Sequence, residues 1–132
     1  MESIRKQIDN DAIIKSNQIF ANALIHSRIQ INVYYFQTDS YSKHKALENF
    51  YKEIDNLYNT YIEIFQGKYS ILKNYRGINI DNNPEKCIEY LRGLEKINNL
   101  TKLGPFDSDL NSIKDTINQL INKTIYILSC LN

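Results

Sequence analysis

Apolar positions recur along this chain at the spacing of amphipathic helices, in four stretches separated by polar or turn-forming segments. A helix that packs on a core is apolar at every third or fourth residue, and each stretch has such a stripe. Two of the connections are short and one is longer, which is typical of an antiparallel four-helix bundle. The sequence therefore predicts an all-α fold with a single domain over residues 1–132. Its helices are expected near residues 10–36, 41–66, 84–101 and 107–131.

The second predicted helix has signals at both ends. Asp39, Ser40 and Ser42 all offer side-chain oxygens that can accept a hydrogen bond from a free backbone N–H of the first turn. Gly67 is placed directly after the last helical residue, where glycine is favoured because the backbone there often takes a positive φ. The longer connection follows, over residues 68–83, and ends in the turn-forming sequence DNNP.

The third and fourth predicted helices have starts that the prolines help to define. Pro84 suits the first turn of the third helix, where its missing N–H would be unpaired in any case. Gly104 and Pro105 break the chain, and Asp107 or Ser108 then caps the fourth helix. These two starts are therefore predicted independently of the apolar stripes.

The first predicted helix carries two apolar stripes. The first consists of Ile13, Phe20, Leu24 and Ile31. The second is centred about 120° away around the helix, and consists of Ile14, Ala21, Ile25, Ile29 and Phe36. Packing into one bundle requires only one stripe, so the second indicates another buried contact. That contact is either with a second subunit or, if the helix is central to its own bundle, with the same chain.

Charge and composition argue against several classes of protein. Sixteen Lys and Arg residues oppose fifteen Asp and Glu residues, so the net charge of +1 does not indicate binding to nucleic acid or to an anionic membrane. The N-terminal stretch lacks the apolar core of a signal peptide, and no apolar run reaches the length of a bilayer span. We therefore expect a soluble, cytoplasmic protein. Cys87 and Cys130 have no metal-binding or redox spacing, which fits free, buried thiols in a reducing compartment.

A polar stripe on the second helix carries the candidate chemistry. Its residues fall within about 80° of one another around the helix, with Glu63 at the edge, and they are His44, Glu48, Tyr51, Asp55 and Asn59. Histidine and carboxylates one turn apart project side by side and can bind a divalent metal ion. The same pattern is also typical of the solvated side of an amphipathic helix. His26, on neither apolar stripe of the first helix, is interpreted as an ordinary, partly buried histidine.

The stretch from Tyr35 to Tyr69 resembles the junction of the first two helices in the mini-ferritins, the DNA-protection proteins from starved cells. It is most similar to a compact branch found in phages and other large DNA viruses. The matching residues are Gln37, Thr38, Ser40, His44, Ala46, Leu47, Tyr51, Glu63, Gly67, Lys68 and Tyr69. The segment DLNSIKDTINQLINKTIYIL also resembles the last helix of that family, at Asp115, Thr124 and Tyr126.

The resemblance implies a ferritin-like fold and an iron-oxidising site shared between two subunits. Carried over to this sequence, it makes His44 and Glu63 metal ligands, whereas Tyr35 and Asn59 occupy the positions of a lost histidine and a lost aspartate. A neutral amide and a phenol are poor ligands for ferrous iron at neutral pH. Glu48 is the first candidate for a substitute ligand, and Asp55 is the second.

Two functions follow from these expectations. The first is a homo-oligomeric, viral helical protein with a degenerate iron site and a structural or virion-associated role. The alternative is an active mini-ferritin that oxidises and stores ferrous iron. DNA binding on the surface of an assembly is compatible with the resemblance, but the mixed charge of the N-terminal segment does not indicate it. No motif supports a hydrolase or another enzyme that works without a metal.

Overall fold

The computed structural model describes residues 2–130, without the side chains of residues 2, 3, 5 and 8. This part of the chain contains helices and no strand, so the predicted all-α class is confirmed. The elements are α1 (Glu2–Gln37), α2 (Tyr41–Lys68), a 3-10 turn (Pro84–Lys86), α3 (Cys87–Leu100) and α4 (Ser108–Cys130). Residue 131, where the fourth helix was expected to end, lies outside the described residues. Within residues 2–130, no helix combines the length and apolar character needed to cross a bilayer.

Helix α1 begins at Glu2, so the predicted start near residue 10 is wrong. The prediction followed the apolar stripes, and these begin only at Ile13. The preceding residues include no glycine or proline, and their polar side chains are compatible with a solvated helix. Gln7 donates a hydrogen bond to Asp11 at 3.0 Å, one turn further along. Such pairs support a helix that has no core on which to pack.

The start of α2 agrees with the sequence, but its end does not. Ser40 is the N-cap, and its hydroxyl accepts a hydrogen bond from the backbone N–H of Lys43 at 3.3 Å. Gly67 lies inside the helix without a positive φ, so its prediction as the residue after the helix is wrong. The last turn is held by contacts with the segment before α4, because Lys68 and Tyr69 both bond to Asp107. These tertiary contacts outweigh the local preference of glycine.

The boundaries of α3 and α4 are close to the prediction. Pro84 is the first residue of the 3-10 turn that leads into α3, and the side chain of Asn83 caps this turn by accepting from Glu85 N at 3.1 Å. Asp107 directly precedes α4, and its carbonyl accepts from Asn111 N at 2.9 Å. Helix α4 begins within one residue of its expected position, whereas α3 begins at Cys87, three residues after the expected start, because residues 84–86 form the 3-10 turn.

Each helix contacts two others: α1 and α4 both contact α2 and α3. Contacting residues follow opposite sequence directions along neighbouring helices. Between α1 and α2 the pairs are Asn17 with Tyr61, Arg28 with Asp55, and Tyr35 with His44. Between α3 and α4 they are Arg92 with Asn122, and Asn98 with Asn118.

The core is built from the predicted stripes. All four residues of the first stripe of α1 are buried. They face apolar side chains of the other helices, of which the largest fully buried ones are Phe50, Phe65, Leu47, Ile54, Leu91, Leu110 and Ile117. Phe20 and Tyr61 pack edge to face, with their ring centroids 5.2 Å apart. Burying each such side chain stabilises the fold by about 2 kcal/mol, so this stripe alone accounts for a large part of the attachment of α1.

Residues 69–83, the crossover segment, connect α2 to the 3-10 turn without regular secondary structure. The segment runs along α1 and is attached by side chains spaced four residues apart on that helix, which we call the polar ladder: Gln18, Asn22, His26, Gln30 and Tyr34. Gln18 and Asn22 bond to the backbone of Asn74, and His26 to Asn79 O. Tyr34 donates to the Asp81 carboxylate at 2.7 Å. The ladder therefore replaces the backbone partners that an irregular segment lacks.

Gln30 makes the most extensive contact of the polar ladder. Its amide nitrogen donates to Asp81 O, and its amide oxygen accepts from Asp81 N, both at 2.8 Å. One side chain thus pairs with both backbone groups of a residue in the crossover segment, much as a neighbouring strand would.

The second apolar stripe of α1 divides into two parts. Ala21 is buried, and Ile14 packs against the core. Ile25 is half-buried and faces a cavity beside the crossover segment. Ile29 and Phe36, near the C-terminal end of the helix, are 37% and 71% exposed. The same chain therefore covers the first part of the stripe, and only the second part remains available for another subunit.

Candidate functional site

His44 lies against Tyr35, where the short connection between α1 and α2 reverses the chain. The two rings are stacked, with centroids 3.6 Å apart and planes inclined by 24°. Tyr51, two turns further along α2, meets the Tyr35 ring edge to face at 5.4 Å. The structure thus brings together residues 35 and 44, which the resemblance pairs at one site. They form one end of a set that we call the α1–α2 cluster: Arg28, Tyr35, His44, Glu48, Tyr51 and Asp55.

Glu48 lies one turn after His44 and is engaged by two lysines. Lys52 Nζ lies 2.6 Å from its carboxylate, and Lys45 Nζ lies 4.0 Å away. The hydrogen bond from Lys52, together with the nearby positive charges, holds the pKa of Glu48 below its ordinary value. Desolvation and the negative charge of Glu48 raise the pKa of Tyr35. Tyr35 is therefore a neutral phenol at physiological pH.

Asp55 has partners on both helices. Arg28 Nε lies 3.7 Å from its carboxylate, and the Tyr58 hydroxyl donates to the same oxygen at 2.9 Å. The guanidinium of Arg28 also lies over the Tyr51 ring, 4.9 Å from its centroid. Such a cation–π contact adds a modest attraction to the ion pair. Arg28 thus connects the acidic and aromatic members of the cluster.

Asn59 and Glu63 lie outside this cluster and are exposed. The amide nitrogen of Asn59 donates to Asp55 O at 2.8 Å, within its own helix. Glu63 follows His44 by nineteen residues on the same helix, which corresponds to about 28 Å along the axis. One chain cannot place both side chains on one metal ion. A site that contains both requires a second subunit.

The donor groups of a single chain do not fit an iron ion. A ferrous ion needs several anionic or neutral donors with free lone pairs. Glu48 and Asp55 already bond to cationic side chains, which leaves His44 without a free carboxylate one turn away on the same helix. In the part of the chain that the structure describes, no three His, Cys, Asp or Glu side chains form a group that could hold a metal. The cluster instead has the character of an ion-pair and aromatic contact between two helices.

Three features were not identified from the sequence: the Lys52–Glu48 ion pair, the polar ladder and the Arg28–Asp55 ion pair. Lys52 follows Glu48 by four residues, and this spacing alone is a signal for an ion pair. The polar ladder also has a signal, because its polar residues recur every four positions on a helix with apolar stripes. No local signal connects Arg28 to Asp55, since the pair forms only when α1 packs on α2.

His26 is half-buried, as expected, and has a defined structural role. Its Nε2 lies 2.6 Å from Asn79 O and its Nδ1 lies 2.6 Å from the hydroxyl of Tyr90. Because a carbonyl can only accept, Nε2 donates, and in the neutral ring Nδ1 accepts from Tyr90. His26 therefore joins the crossover segment to α3.

The two cysteines are free and lie far from the α1–α2 cluster in sequence. Cys87 is buried, and burial raises the pKa of its thiol to about 12. Cys130 is exposed, so the expectation of a buried thiol is wrong at this position. It lies at the C-terminal end of α4.

Comparison with known proteins gives one family. The profile described as "Family of unknown function (DUF5856)" matches residues 35–128. No curated protein and no solved structure matches the chain. The matched region begins at Tyr35 and includes the whole of α2, the crossover segment and α3, and most of α4. The resemblance to the mini-ferritins is not tested by this match and stays a prediction.

Proposed function

Because the chain belongs to DUF5856, a family of unknown function, we propose its role from geometry: a homo-oligomeric, ferritin-like bundle with a structural function. The candidate ligands His44, Glu48 and Asp55 serve the contact between α1 and α2, and the protein does not oxidise iron. The observation that carries this proposal is that the candidate ligands Glu48 and Asp55 are each bonded to a cationic side chain of the same chain. A bound metal ion would have to displace these cations or tolerate their repulsion.

The topology supports the ferritin-like part of the proposal. Contacts between neighbouring helices run in opposite sequence directions, as in an antiparallel bundle. A single long connection joins α2 to α3, and ferritin-like folds differ from simple up-and-down bundles by one such crossover. In this arrangement α1 and α4 are diagonal to each other, which agrees with their lack of mutual contact within the described residues.

Exposed aromatic residues beside the α1–α2 cluster support self-association. Phe36 at the end of α1 is 71% exposed, and Tyr41 at the start of α2 is 79% exposed. Ile29 extends this surface along α1 towards Arg28. Large apolar side chains grouped beside a polar rim are typical of protein interfaces. We place the subunit interface on this surface, with a second copy of the chain as the partner.

Light scattering of the purified protein tests the oligomer. We expect a mass well above the 15.5 kDa of one chain, and a lower mass for the double variant Ile29→Ser/Phe36→Ser. Phe106→Ser is the matched control, because Phe106 is 89% exposed at a distant position, before α4. A monomeric wild-type protein, or an equal loss of mass in the control, would contradict the proposed interface.

Oxygen uptake with ferrous iron, combined with metal analysis of the same sample, tests the second part. We expect no uptake above the protein-free rate, and partial recovery in Tyr35→His/Asn59→Asp, which restores two ligands. Robust uptake by the wild type that is abolished in His44→Ala would overturn the degenerate site and establish the alternative, an active mini-ferritin. This outcome leaves the oligomer test unaffected, so the two parts can fail separately.

A further inference from the structure

A groove of about 590 Å³ lies between α1, α3 and the crossover segment, on a different surface from Phe36 and the proposed interface. We call it the crossover groove. Its size falls within the range of small-molecule sites, about 300–1,000 Å³. The aliphatic part of its wall is formed by Ala23, Ile25, Ile78, Leu94 and Ile97, and the rings of Tyr75 and Tyr90 add aromatic surface.

The side chains of Asn22, His26 and Tyr90 in the wall of the crossover groove already have hydrogen-bond partners, whereas the hydroxyl of Tyr75, which is 46% exposed, has none among the described residues. Both ring nitrogens of His26 are bonded, one to the hydroxyl of Tyr90 and the other to Asn79 O. Asn22 donates to Asn74 O at 3.3 Å. The groove wall is therefore mainly apolar or already hydrogen-bonded within the protein, and such a wall favours an apolar ligand.

Arg76 supplies a cationic side chain to the wall of the groove. It lines the crossover groove and also an adjoining cavity of about 720 Å³, and therefore lies where the two meet. Among the ion pairs and side-chain hydrogen bonds of the described residues, none involves its guanidinium. A guanidinium without a partner among the described residues, at the edge of an apolar groove, is suited to a carboxylate, which it can bind through two parallel hydrogen bonds.

We propose that the crossover groove binds a soluble, single-chain monocarboxylate, with the carboxylate on Arg76 and the alkyl chain against Ile25, Ile78 and Ile97. The alkyl chain and the carboxylate of the ligand are inferred from independent observations. The aliphatic wall favours the alkyl chain, and the Arg76 guanidinium favours the negative charge. The proposal does not depend on the structural function argued above.

Gly93 provides a way to close the groove without damaging the helix. It lines the groove from α3, and a Cβ at this position would meet no other atom within 4 Å. The Cβ of a leucine there lies in open space at the groove wall, and leucine favours the helix more than glycine does. Gly67 is the matched control, because it also lies inside a helix with no atom within 4 Å of an added Cβ, but not in the groove.

The test is calorimetric titration of the full chain with decanoate below its micellar concentration, and with decanol as the uncharged comparison. We expect saturable binding of decanoate by the wild type. Arg76→Gln should weaken decanoate binding about tenfold or more and leave decanol binding unchanged. Gly93→Leu should weaken the binding of both, and Gly67→Leu of neither. Circular dichroism verifies that each variant is helical, and Gly93→Ala, with its single added methyl, replaces Gly93→Leu if the latter unfolds.

Three results would overturn the proposal. The first is no saturable binding of decanoate by the wild type. The second is equal decanoate affinity for wild type and Arg76→Gln, or for wild type and a folded Gly93 variant. The third is a folded Gly93 variant that changes the mass in light scattering but does not change the affinity for decanoate. That result would assign the groove to a second copy of the chain.

Discussion

Asp107 is a carboxylate only 4% exposed, and it joins three parts of the chain. It accepts hydrogen bonds from the hydroxyl of Tyr69 and from Gly104 N, the latter at 2.7 Å, and it pairs with Lys68 at 3.2 Å. Burial and the bond to Asp107 raise the pKa of Tyr69 to about 12. Gly104 is required here because an added Cβ would lie 2.9 Å from the Tyr69 hydroxyl. Asp107 thus holds the end of α2 against the start of α4.

Replacing Asp107 should reduce both stability and its dependence on pH. Burial alone would raise the pKa of Asp107, but the bonds from Tyr69, Gly104 and Lys68 hold it below the ordinary value of 3.8. A lowered pKa in the folded state stabilises the protein above pH 3.8, and this contribution is lost as the pH falls below that value. We expect Asp107→Asn to lower the free energy of unfolding by about 1–3 kcal/mol near pH 7, and by less near pH 3.

Urea unfolding at the two pH values measures this effect. Asp115→Asn is the control, since Asp115 is exposed on α4 and forms no ion pair among the described residues. An equal loss for Asp107→Asn at both pH values would show that its charge does not stabilise the fold.

At the scale of the elements, the apolar periodicity was sufficient to predict four helices and the buried stripe of α1. It failed where tertiary contacts decide the structure. Gly67 stays helical because Lys68 and Tyr69 bond to Asp107, and the crossover segment has no periodicity that reveals its path. The pairing of residues 35 and 44 was implied by the resemblance, and the short connection brings the two together, whereas the Arg28–Asp55 pair depends on how two helices pack.

The attachment of the crossover segment depends most on Gln30. Gln30→Ala removes both hydrogen bonds to the Asp81 backbone and leaves a partly buried N–H and C=O unpaired. We expect a loss of about 2–3 kcal/mol in the free energy of unfolding and faster amide exchange at Asp81. Gln37→Ala, on the same helix, removes one exposed bond to Asn82 and should cost about 0.5 kcal/mol. Similar losses in both variants would mean that the ladder contributes no more than ordinary surface contacts.

The whole molecule depends on a part of α1 that precedes the region matched by the family profile. Phe20, Leu24 and Ile31 are fully buried, yet the match begins at residue 35. We expect a fragment of residues 35–132 to lose cooperative unfolding and to bind a hydrophobic dye, because burial of each missing side chain is worth about 2 kcal/mol. Adding a peptide of residues 1–34 should reverse both changes. A fragment that unfolds cooperatively without the peptide would show that α1 is dispensable.

The spacing of the polar ladder also governs where the chain can change in length. One residue inserted into α1 between Gln18 and Tyr34 would rotate everything after it by about 100°. That rotation would turn the apolar stripe from the core and the ladder from the crossover segment in a single step. Residues 75–78 lie between the anchors Asn74 and Asn79 and have no hydrogen-bonded partner among the described residues. An extra residue there lengthens an arch and leaves the core and the ladder in place, although it displaces Arg76 and Ile78 of the crossover groove. Insertions and deletions that preserve the fold should therefore collect at 75–78 and be rare between 18 and 34, and relatives with a changed length at 75–78 should lack the proposed carboxylate site.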